Sequence, residues 1–273
     1  MRWYVLGRGG VGCLWASHLA KAGNAVTLLV RRGAAVAHRI TISLEDGWEG
    51  AAGTRWQQQV DIEEPGSRPE QIHLLLVATK AQDAGSGVAS LASRLSPNPT
   101  IVLLQNGLGA ADDILKHEAL QSIRPLIFTG TTTHGSYLRR PYDVVHAGHG
   151  STWLGIAQAT IAAAEPQCSH AEVEAAFQSV VASLSATELG SVIAETPTAM
   201  EGRLWGKLAI NAALNPLTAL LRCQNGEIIA TQHGRDAVRA CSQELAQVMS
   251  ARGLRTMEVR SWPPCCHHDG TCD

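Results

Sequence analysis

Lys207, Asn211 and Asn215 are spaced four residues apart, so a helix would align one amine and two amides along one stripe. The intervening residues, Leu208 to Leu214, are otherwise apolar, and the pattern predicts a buried helix that is apolar almost all round. Buried polar groups need partners, and a charged amine needs one most. The carboxylate and carbonyl groups of a small ligand would supply them. A plainer interpretation stays open, in which Asn215 only ends the helix before Pro216. Asn211 is then a satisfied core amide, and Lys207 reaches water.

A glycine-rich segment, Gly7-Arg8-Gly9-Gly10-Val11-Gly12, follows an apolar strand and opens a predicted helix. In that context the order G-x-G-x-x-G is typical of a dinucleotide-binding turn, and we expect all six residues to contact the cofactor. Gly7 would permit the tight turn, Gly9 the approach of a pyrophosphate, and Gly12 close packing of the helix on the strand. The helix N-terminus would offer N–H groups to the phosphates. The alternative is a glycine turn that binds nothing.

The end of the second predicted strand indicates which dinucleotide binds. A carboxylate usually stands there in NAD sites, where it holds the ribose 2′-hydroxyl. This sequence has Val30-Arg31-Arg32 instead. A guanidinium can bind a 2′-phosphate through paired hydrogen bonds, so we expect NADPH/NADP⁺ as the cofactor, with Arg31 as the main contact. The alternative is that both arginines are solvated residues at a strand end.

The elements that must position these residues alternate between strand and helix in the first half of the chain. Buried strands are predicted at 3–6, 25–30, 72–78 and 100–104, antiparallel ones at 41–44 and 144–154, and helices at 11–23 and 171–184. From Met200 onward the pattern is helical over 201–214 and 235–252, with a break at Asn215-Pro216. We expect an α/β fold: an N-terminal Rossmann-like doubly wound sheet followed by an incomplete all-α domain. The expected segments are 1–195 for NADP, 196–258 for substrate and catalysis, and an atypical tail at 259–273.

Four blocks make the sequence resemble the ketopantoate reductase (2-dehydropantoate 2-reductase) family. They are Gly7 to Gly12, Ala78-Thr79-Lys80, Gln105-Asn106-Gly107-Leu108-Gly109, and Trp205-Gly206-Lys207 through Asn215-Pro216-Leu217-Thr218. The resemblance implies that Lys80 and Asn106 face the cofactor and the substrate. It also implies a cofactor contact at Ser136 and a substrate contact at Asn225. Without the resemblance, Lys80 could be a solvated loop lysine and Asn106 a turn residue.

The resemblance implies reduction of 2-dehydropantoate to pantoate, a step toward pantothenate and coenzyme A. Lys207 would stabilise the charge on the carbonyl oxygen and donate a proton as general acid, helped by a pKa that burial lowers. Asn106, Asn211, Asn215 and Asn225 would hold the substrate. The residues by themselves indicate only a small 2-keto acid. Two alternatives stay open: a reductase of another small 2-keto acid, and a catalytically impaired NADP-binding remnant.

Composition narrows the remaining function classes. The formal net charge of −2 argues against a nucleic-acid partner, and no apolar run is long enough to cross a bilayer. We expect a cytoplasmic protein without a leader, in which Cys13, Cys168, Cys223 and Cys241 are reduced thiols. The expected partner is a small-molecule 2-keto acid, and a homodimer stays open.

The tail departs from the family pattern. Members of the family continue with helices that carry a further serine and glutamate of the site, and we expect a truncated or frameshifted reading here. The tail instead contains Cys265-Cys266-His267-His268 and Cys272. Structural zinc sites usually use ligand pairs two to four residues apart, and this cluster lacks that spacing. We therefore expect no metal site, with metal binding by the tail as the minor alternative.

Overall fold

The computed structural model describes residues 1–31, 38–47, 53–65, 68–157, 160 and 169–252. Arg32, Cys168 and the cysteines and histidines of the tail lie outside the described residues, so the expectations for them stay predictions. The chain divides into two compact units, Met1–Met200 and Glu201–Asp273. The boundary expected near residue 195, the helical segment 196–258 and the tail 259–273 stay predictions as well.

The first unit is built on one eleven-stranded sheet of order β11-β10-β7-β6-β5-β1-β2-β4-β3-β9-β8. Its strands are β1 (Arg2–Leu6), β2 (Ala25–Leu29), β3 (Arg39–Asp46), β4 (Arg55–Glu63), β5 (Ile72–Val77), β6 (Leu95–Leu103), β7 (Leu126–Thr132), β8 (Gly135–Arg140), β9 (Asp143–Gly148), β10 (Thr152–Ile156) and β11 (Val192–Glu195). Its complete helices are α1 (Gly10–Lys21), α2 (Ala81–Ala89), α3 (Ala110–Lys116) and α4 (His170–Ser185), with short 3₁₀ turns at Ala92–Arg94 and Glu118–Leu120.

The centre of the sheet is a run of parallel strands, β4-β2-β1-β5-β6-β7. The direction of strand succession reverses at β1, because β2 lies on one side of it and β5 on the other. Open α/β sheets bind ligands at such a reversal, outside the carboxyl ends of the strands. The fold therefore puts the glycine segment, which directly follows β1, where a ligand is expected.

Both faces of the inner strands of this run are covered, which explains why β1, β2 and β5 are mostly apolar. Successive residues of β1 alternate between two buried clusters: Trp3 and Val5 belong to one, and Tyr4 and Leu6 to the other. Residues of α1 and α4 contribute to the first cluster, and residues of α2 and α3 to the second. Helices on both faces confirm the predicted Rossmann-like, doubly wound sheet.

The antiparallel segments are more complex than the sequence predicts. β3 is antiparallel to β4, as expected, but it is parallel to β9 on its other side. Residues 144–154 do not form one unit, because β9 pairs with β8 and β10 pairs with β7 at opposite ends of the sheet. Gly148 and Gly150 lie near or in the connection between the two strands.

The described part of the second unit is helical: α5 runs from Pro197 to Leu221 and so begins in the first unit, and α6 (Asn225–Ala230) and α7 (Gln232–Ala251) follow. The predicted break at Asn215-Pro216 is wrong, because α5 continues through Pro216 to Leu221. Pro216 has no N–H to donate to the carbonyl of Ala212, so the helix loses one hydrogen bond there without ending.

The prediction that this helix is buried is also wrong. Its buried residues are Met200, Ala209 and Ala213, and most of the others are half-buried or exposed. In residues 201–252 the other helices are α6 and α7, and these two helices leave much of the surface of α5 accessible to solvent. Among the described residues, no helix combines the length and the apolar character that crossing a membrane requires.

Candidate functional site

A cleft of about 1030 Å³ lies at the carboxyl ends of the parallel strands of the first unit. Segments that follow β1, β2, β5 and β6 line it, together with one side of α2 and Ser136 of β8. Seven of the predicted cofactor residues come from the glycine segment and the end of β2: Gly7, Arg8, Gly9, Gly10, Val11 and Arg31 line the cleft, and Gly12 lies one residue further into α1. Lys80, Asn106 and Ser136 also line it.

The glycines of the segment differ in what surrounds them. Gly7 has a φ of +120°, and a Cβ there would lie 2.6 Å from the carbonyl oxygen of Ala78. A Cβ at Gly12 would collide with the carbonyl oxygen of Gly7. A Cβ at Gly9, in contrast, would have no neighbour within 4 Å. Gly7 and Gly12 are therefore required by the turn itself, whereas Gly9 leaves open space in front of the backbone.

The N-terminus of α1 is unpaired in a way that suits an anion. Its N-cap is Gly9, which has no side chain to accept from the first N–H groups, and the first turn contains no acidic residue. The first intrahelical bond runs from the Cys13 N–H to the Gly9 carbonyl, 2.9 Å between nitrogen and oxygen. The N–H groups of the first turn and the positive end of the helix dipole thus remain available to a phosphate.

Three buried polar atoms in the wall of the cleft have no hydrogen-bond partner among the described residues: Thr79 Oγ1, Gln105 Oε1 and Ser136 Oγ. A buried polar atom without a hydrogen-bond partner destabilises the fold by about 1–3 kcal/mol, and a bound molecule could remove this cost by forming hydrogen bonds with the three atoms. The sequence indicates Ser136 through the family resemblance, but it gives Thr79 and Gln105 no role. Both stand in the quoted blocks beside Lys80 and Asn106, which was the signal that could have found them.

Arg31 has a neighbour that the sequence does not reveal. Its Nη2 lies 3.5 Å from Oδ2 of Asp83, in the first turn of α2, and both residues line the cleft. The Arg31 side chain is 88% exposed and that of Asp83 is 43% exposed. An exposed pair of this kind contributes at most about 1 kcal/mol, so Arg31 can leave Asp83 for a stronger anion.

The stripe of polar residues in the second unit lies on α5 as its spacing predicts, with Lys207, Asn211 and Asn215 on one helix. Burial lowers the pKa of the Lys207 amine to about 8. Lys207 and Asn211 are half-buried, but Asn215 is exposed, so the environment of the stripe becomes more open toward the C-terminal end. Asn225 is the first residue of α6 and is exposed.

Two family models match the chain: "Ketopantoate reductase PanE/ApbA" over residues 3–159 and "Ketopantoate reductase PanE/ApbA C terminal" over residues 199–263. The chain belongs to this family. The 2-dehydropantoate 2-reductase of Vibrio cholerae serotype O1 is 31% identical to it over 252 residues, which cover 92% of this chain and 73% of that one. The family assignment makes the chain an oxidoreductase that uses a nicotinamide cofactor and a small-molecule substrate.

Solved structures agree on the fold of this ketopantoate reductase family member. A PanE/ApbA family ketopantoate reductase from Ralstonia eutropha JMP134 superposes with a TM-score of 0.71 at 22% identity, covering 94% of this chain and 77% of that one. A D-mandelate dehydrogenase with NADH and anilino(oxo)acetate gives a TM-score of 0.74 at 20% identity, with coverages of 94% and 76%. At these identities the two structures support the architecture alone.

Proposed function

We propose that the chain reduces 2-dehydropantoate to pantoate with NADPH. The observation that carries the proposal is the cleft of the first unit, where an uncapped helix N-terminus and an arginine line the same space in a member of the ketopantoate reductase family. Its relative from Vibrio cholerae bears the name of this activity. The name of the relative suggests the substrate, and the arginine of the cleft suggests the 2′-phosphate of the cofactor.

The residues of the cleft fit a dinucleotide. Gly9 leaves room for a pyrophosphate, the N–H groups of α1 can donate to it, and the three unpartnered atoms of the wall can bond to polar groups of the ligand. The guanidinium of Arg31 would exchange Asp83 for a 2′-phosphate, with which it can form two parallel charge-assisted hydrogen bonds. Lys80 and Asn106 are exposed toward the cleft and would contact the ligand further along it.

When bound, NADPH supplies a hydride to the substrate's carbonyl carbon. The protein must then deliver a proton to the carbonyl oxygen, and in our proposal Lys207 does so. Its pKa of about 8 keeps it mostly protonated near neutral pH and makes proton loss easier than from an ordinary lysine. Asn211, Asn215 and Asn225 would orient the substrate's carboxylate and hydroxyl groups, as amides can both donate and accept.

The test is a spectrophotometric assay of NADPH oxidation by the purified chain with 2-dehydropantoate, run beside other branched 2-keto acids. We expect the highest kcat/KM with 2-dehydropantoate. A higher value with another 2-keto acid would assign the chain to that substrate instead. Binding of NADPH without turnover on any 2-keto acid would refute the proposed reaction.

A further inference from the structure

Three histidines of the first unit cluster where β8 and β9 join the sheet. His134 lies between β7 and β8, His146 is on β9, and His149 follows that strand. Each offers one ring nitrogen, and these three nitrogens lie within 4.8 Å of one another. His134 and His146 are 6% and 1% exposed, whereas His149 is open to solvent. None of the three lines the cleft that the proposed function uses.

The hydrogen bonds around His146 restrict where its proton can be. Its Nδ1 lies 3.0 Å from Oδ1 of Asp46, at the end of β3, and an ionised carboxylate can only accept. A neutral His146 therefore places its single N–H on Nδ1, which leaves a lone pair on Nε2. This lone pair points at His134, because Nε2 of His146 lies 3.0 Å from Nδ1 of His134.

His134 offers a second lone pair at the same point. Its Nδ1 is placed to accept from the N–H of Gly150, at 3.1 Å, so the ring proton belongs on Nε2. That Nε2 is buried and has no well-aligned hydrogen-bond partner in the described part of the chain, although the backbone of Leu189 favours a proton on the ring. With the rings in these two neutral tautomers, Nδ1 of His134 and Nε2 of His146 would face each other lone pair to lone pair at 3.0 Å.

Moving the proton of His146 does not remove the conflict. If Nε2 carries it and donates to His134, the lone pair on Nδ1 then faces the carboxylate of Asp46. Either neutral tautomer of His146 leaves one repulsive contact in a buried place, where such contacts cost most, and without an added ion only a doubly protonated ring could donate to both neighbours. A positive ion between the rings would satisfy both lone pairs and leave the bond between His146 and Asp46 intact.

We propose that His134, His146 and His149 bind a Zn²⁺ ion. Neutral imidazoles are preferred ligands of zinc, and three of them leave the fourth tetrahedral position for water. Asp46 would accept a hydrogen bond from Nδ1 of His146 and so orient the ring, as carboxylates commonly do for metal-binding histidines. The exposed His149 gives the ion a path from solvent.

The site needs a small adjustment to close on the ion. Zinc–nitrogen bonds of about 2.0–2.1 Å in a tetrahedron imply nitrogens about 3.3 Å apart. His134 and His146 are near that separation already, and His149 must approach. The Gly150 N–H donates to Nδ1 of His134, and Gly150 follows His149 in the chain. One shift of residues 149–150 would therefore free Nδ1 of His134 for the ion and move the His149 ring toward it. The bound ion would join the ends of β3, β7 and β9.

Zinc binding to the full chain tests the proposal, in a background that removes the competing tail residues. In this background Cys265, Cys266 and Cys272 are replaced by serine, and His267 and His268 by asparagine. Competition with a chromophoric chelator should show one Zn²⁺ per chain, and His149→Asn should weaken the affinity at least about tenfold. Since His149 is exposed, this variant should fold. The matched control is His73→Asn, which changes an exposed histidine of β5 and should leave the affinity unchanged.

Cobalt provides a second measurement that identifies the ligand atoms. Co²⁺ in the same background should give visible d–d bands without the near-ultraviolet charge-transfer band of thiolate ligation, and His149→Asn should change those bands. Three results would overturn the proposal: no stoichiometric zinc in this background, an affinity that His149→Asn does not change, or a thiolate band. NADPH binding should be the same with and without zinc, so a failed zinc site leaves the proposed function intact.

Discussion

Replacing Arg31 by alanine should weaken NADPH binding far more than NADH binding. Two charge-assisted hydrogen bonds to a 2′-phosphate contribute about 1.5 kcal/mol each at the lower end of their range, which suits an arginine that is 88% exposed. Releasing Asp83 costs up to about 1 kcal/mol of this gain. The remainder, about 2 kcal/mol, corresponds to a loss of roughly 30-fold in NADPH affinity. NADH has only a hydroxyl at that position, and its affinity should change by less than about 3-fold.

Titration of the protein with NADPH and with NADH, followed by the fluorescence of the reduced nicotinamide ring, measures this difference in affinity. Arg39→Ala is the matched control, since it also removes an exposed arginine paired with an aspartate, Asp61, but lies outside the lining of the cleft. It should leave both affinities unchanged. Equal losses of NADPH and NADH affinity in Arg31→Ala would show that the guanidinium does not bind the 2′-phosphate, and the choice of NADPH would lose its support.

Three further predictions address the chemistry, the glycine turn and the core. Lys207→Ala should lower kcat by about 10²–10⁴-fold with little change in NADPH affinity. The kcat of the wild-type chain should fall as pH rises through about 8, because only the protonated amine of Lys207 can donate a proton. Steady-state kinetics from pH 6 to about 10 measures both effects. Gly10→Ala should weaken NADPH binding in the same titration, since its Cβ would lie 2.7 Å from the Ser136 carbonyl oxygen and displace part of the cleft wall. Glu63→Gln should destabilise the fold by about 3–5 kcal/mol in urea unfolding, because it leaves the charge of Arg94 buried, where both side chains of the pair are 4% exposed.

Each of these has a control within the chain. Lys207→Arg keeps a cation that does not titrate, so any residual activity should lack the fall near pH 8; a fall that persists would mean that another group titrates. Gly202→Ala adds a methyl group where nothing lies within 4 Å and should not affect binding. Glu188→Gln breaks an exposed pair with Lys21 and should cost less than about 1 kcal/mol; an equal cost for Glu63→Gln would contradict the argument from burial.

Four of the six parallel strands, β1, β2, β5 and the second half of β6, could be predicted from sequence because burial on both faces favours apolar residues. β5 has five buried residues among six, and only His73 departs from the pattern. β4 could not be predicted in the same way. Its first five residues, including Gln57, Gln58 and Gln59, are exposed or half-buried, and they stay in the sheet through backbone pairing with β3. The order of side chains does not reveal backbone hydrogen bonds, so a polar strand is easily predicted as a loop.

The continuation of α5 through Pro216 shows a second limit of local rules. A proline inside a helix costs about 3 kcal/mol, and asparagine before proline often marks an end. Four of the five residues from Leu217 to Leu221 are leucine or alanine, which favour a helix after Pro216, but only the folded chain shows that the helical turns before and after Pro216 outweigh this cost. The spacing of Lys207, Asn211 and Asn215 was nevertheless enough to predict that they share one helix.

The site residues divide along the same line. Gly7 and Gly12 could be identified as glycines that the turn requires, because this requirement depends on the backbone of one turn, which the local sequence encodes, whereas the role of Gly9 toward a pyrophosphate stays a prediction. Thr79 and Gln105 could not be identified, because what distinguishes them is that Thr79 Oγ1 and Gln105 Oε1 find no partner within the described ranges of the folded chain. An unsatisfied atom is a property of everything around it and cannot be inferred from its own residue type.

We expect the choice between NADPH and NADH to depend also on a neighbour of Arg31 that is distant in sequence. The rule for the strand end uses whether the residue after β2 is acidic or basic, and the basic Arg31 predicts NADPH. The carboxylate that rule associates with NAD is still present in the cleft, supplied by Asp83 from α2 rather than by β2. If Asp83 opposes the 2′-phosphate and occupies Arg31, then Asp83→Asn should raise NADPH affinity by up to about 5-fold and leave NADH binding no stronger. A gain for NADH instead would mean that this carboxylate affects the cleft without regard to the ribose, and cofactor choice would have to be sought elsewhere.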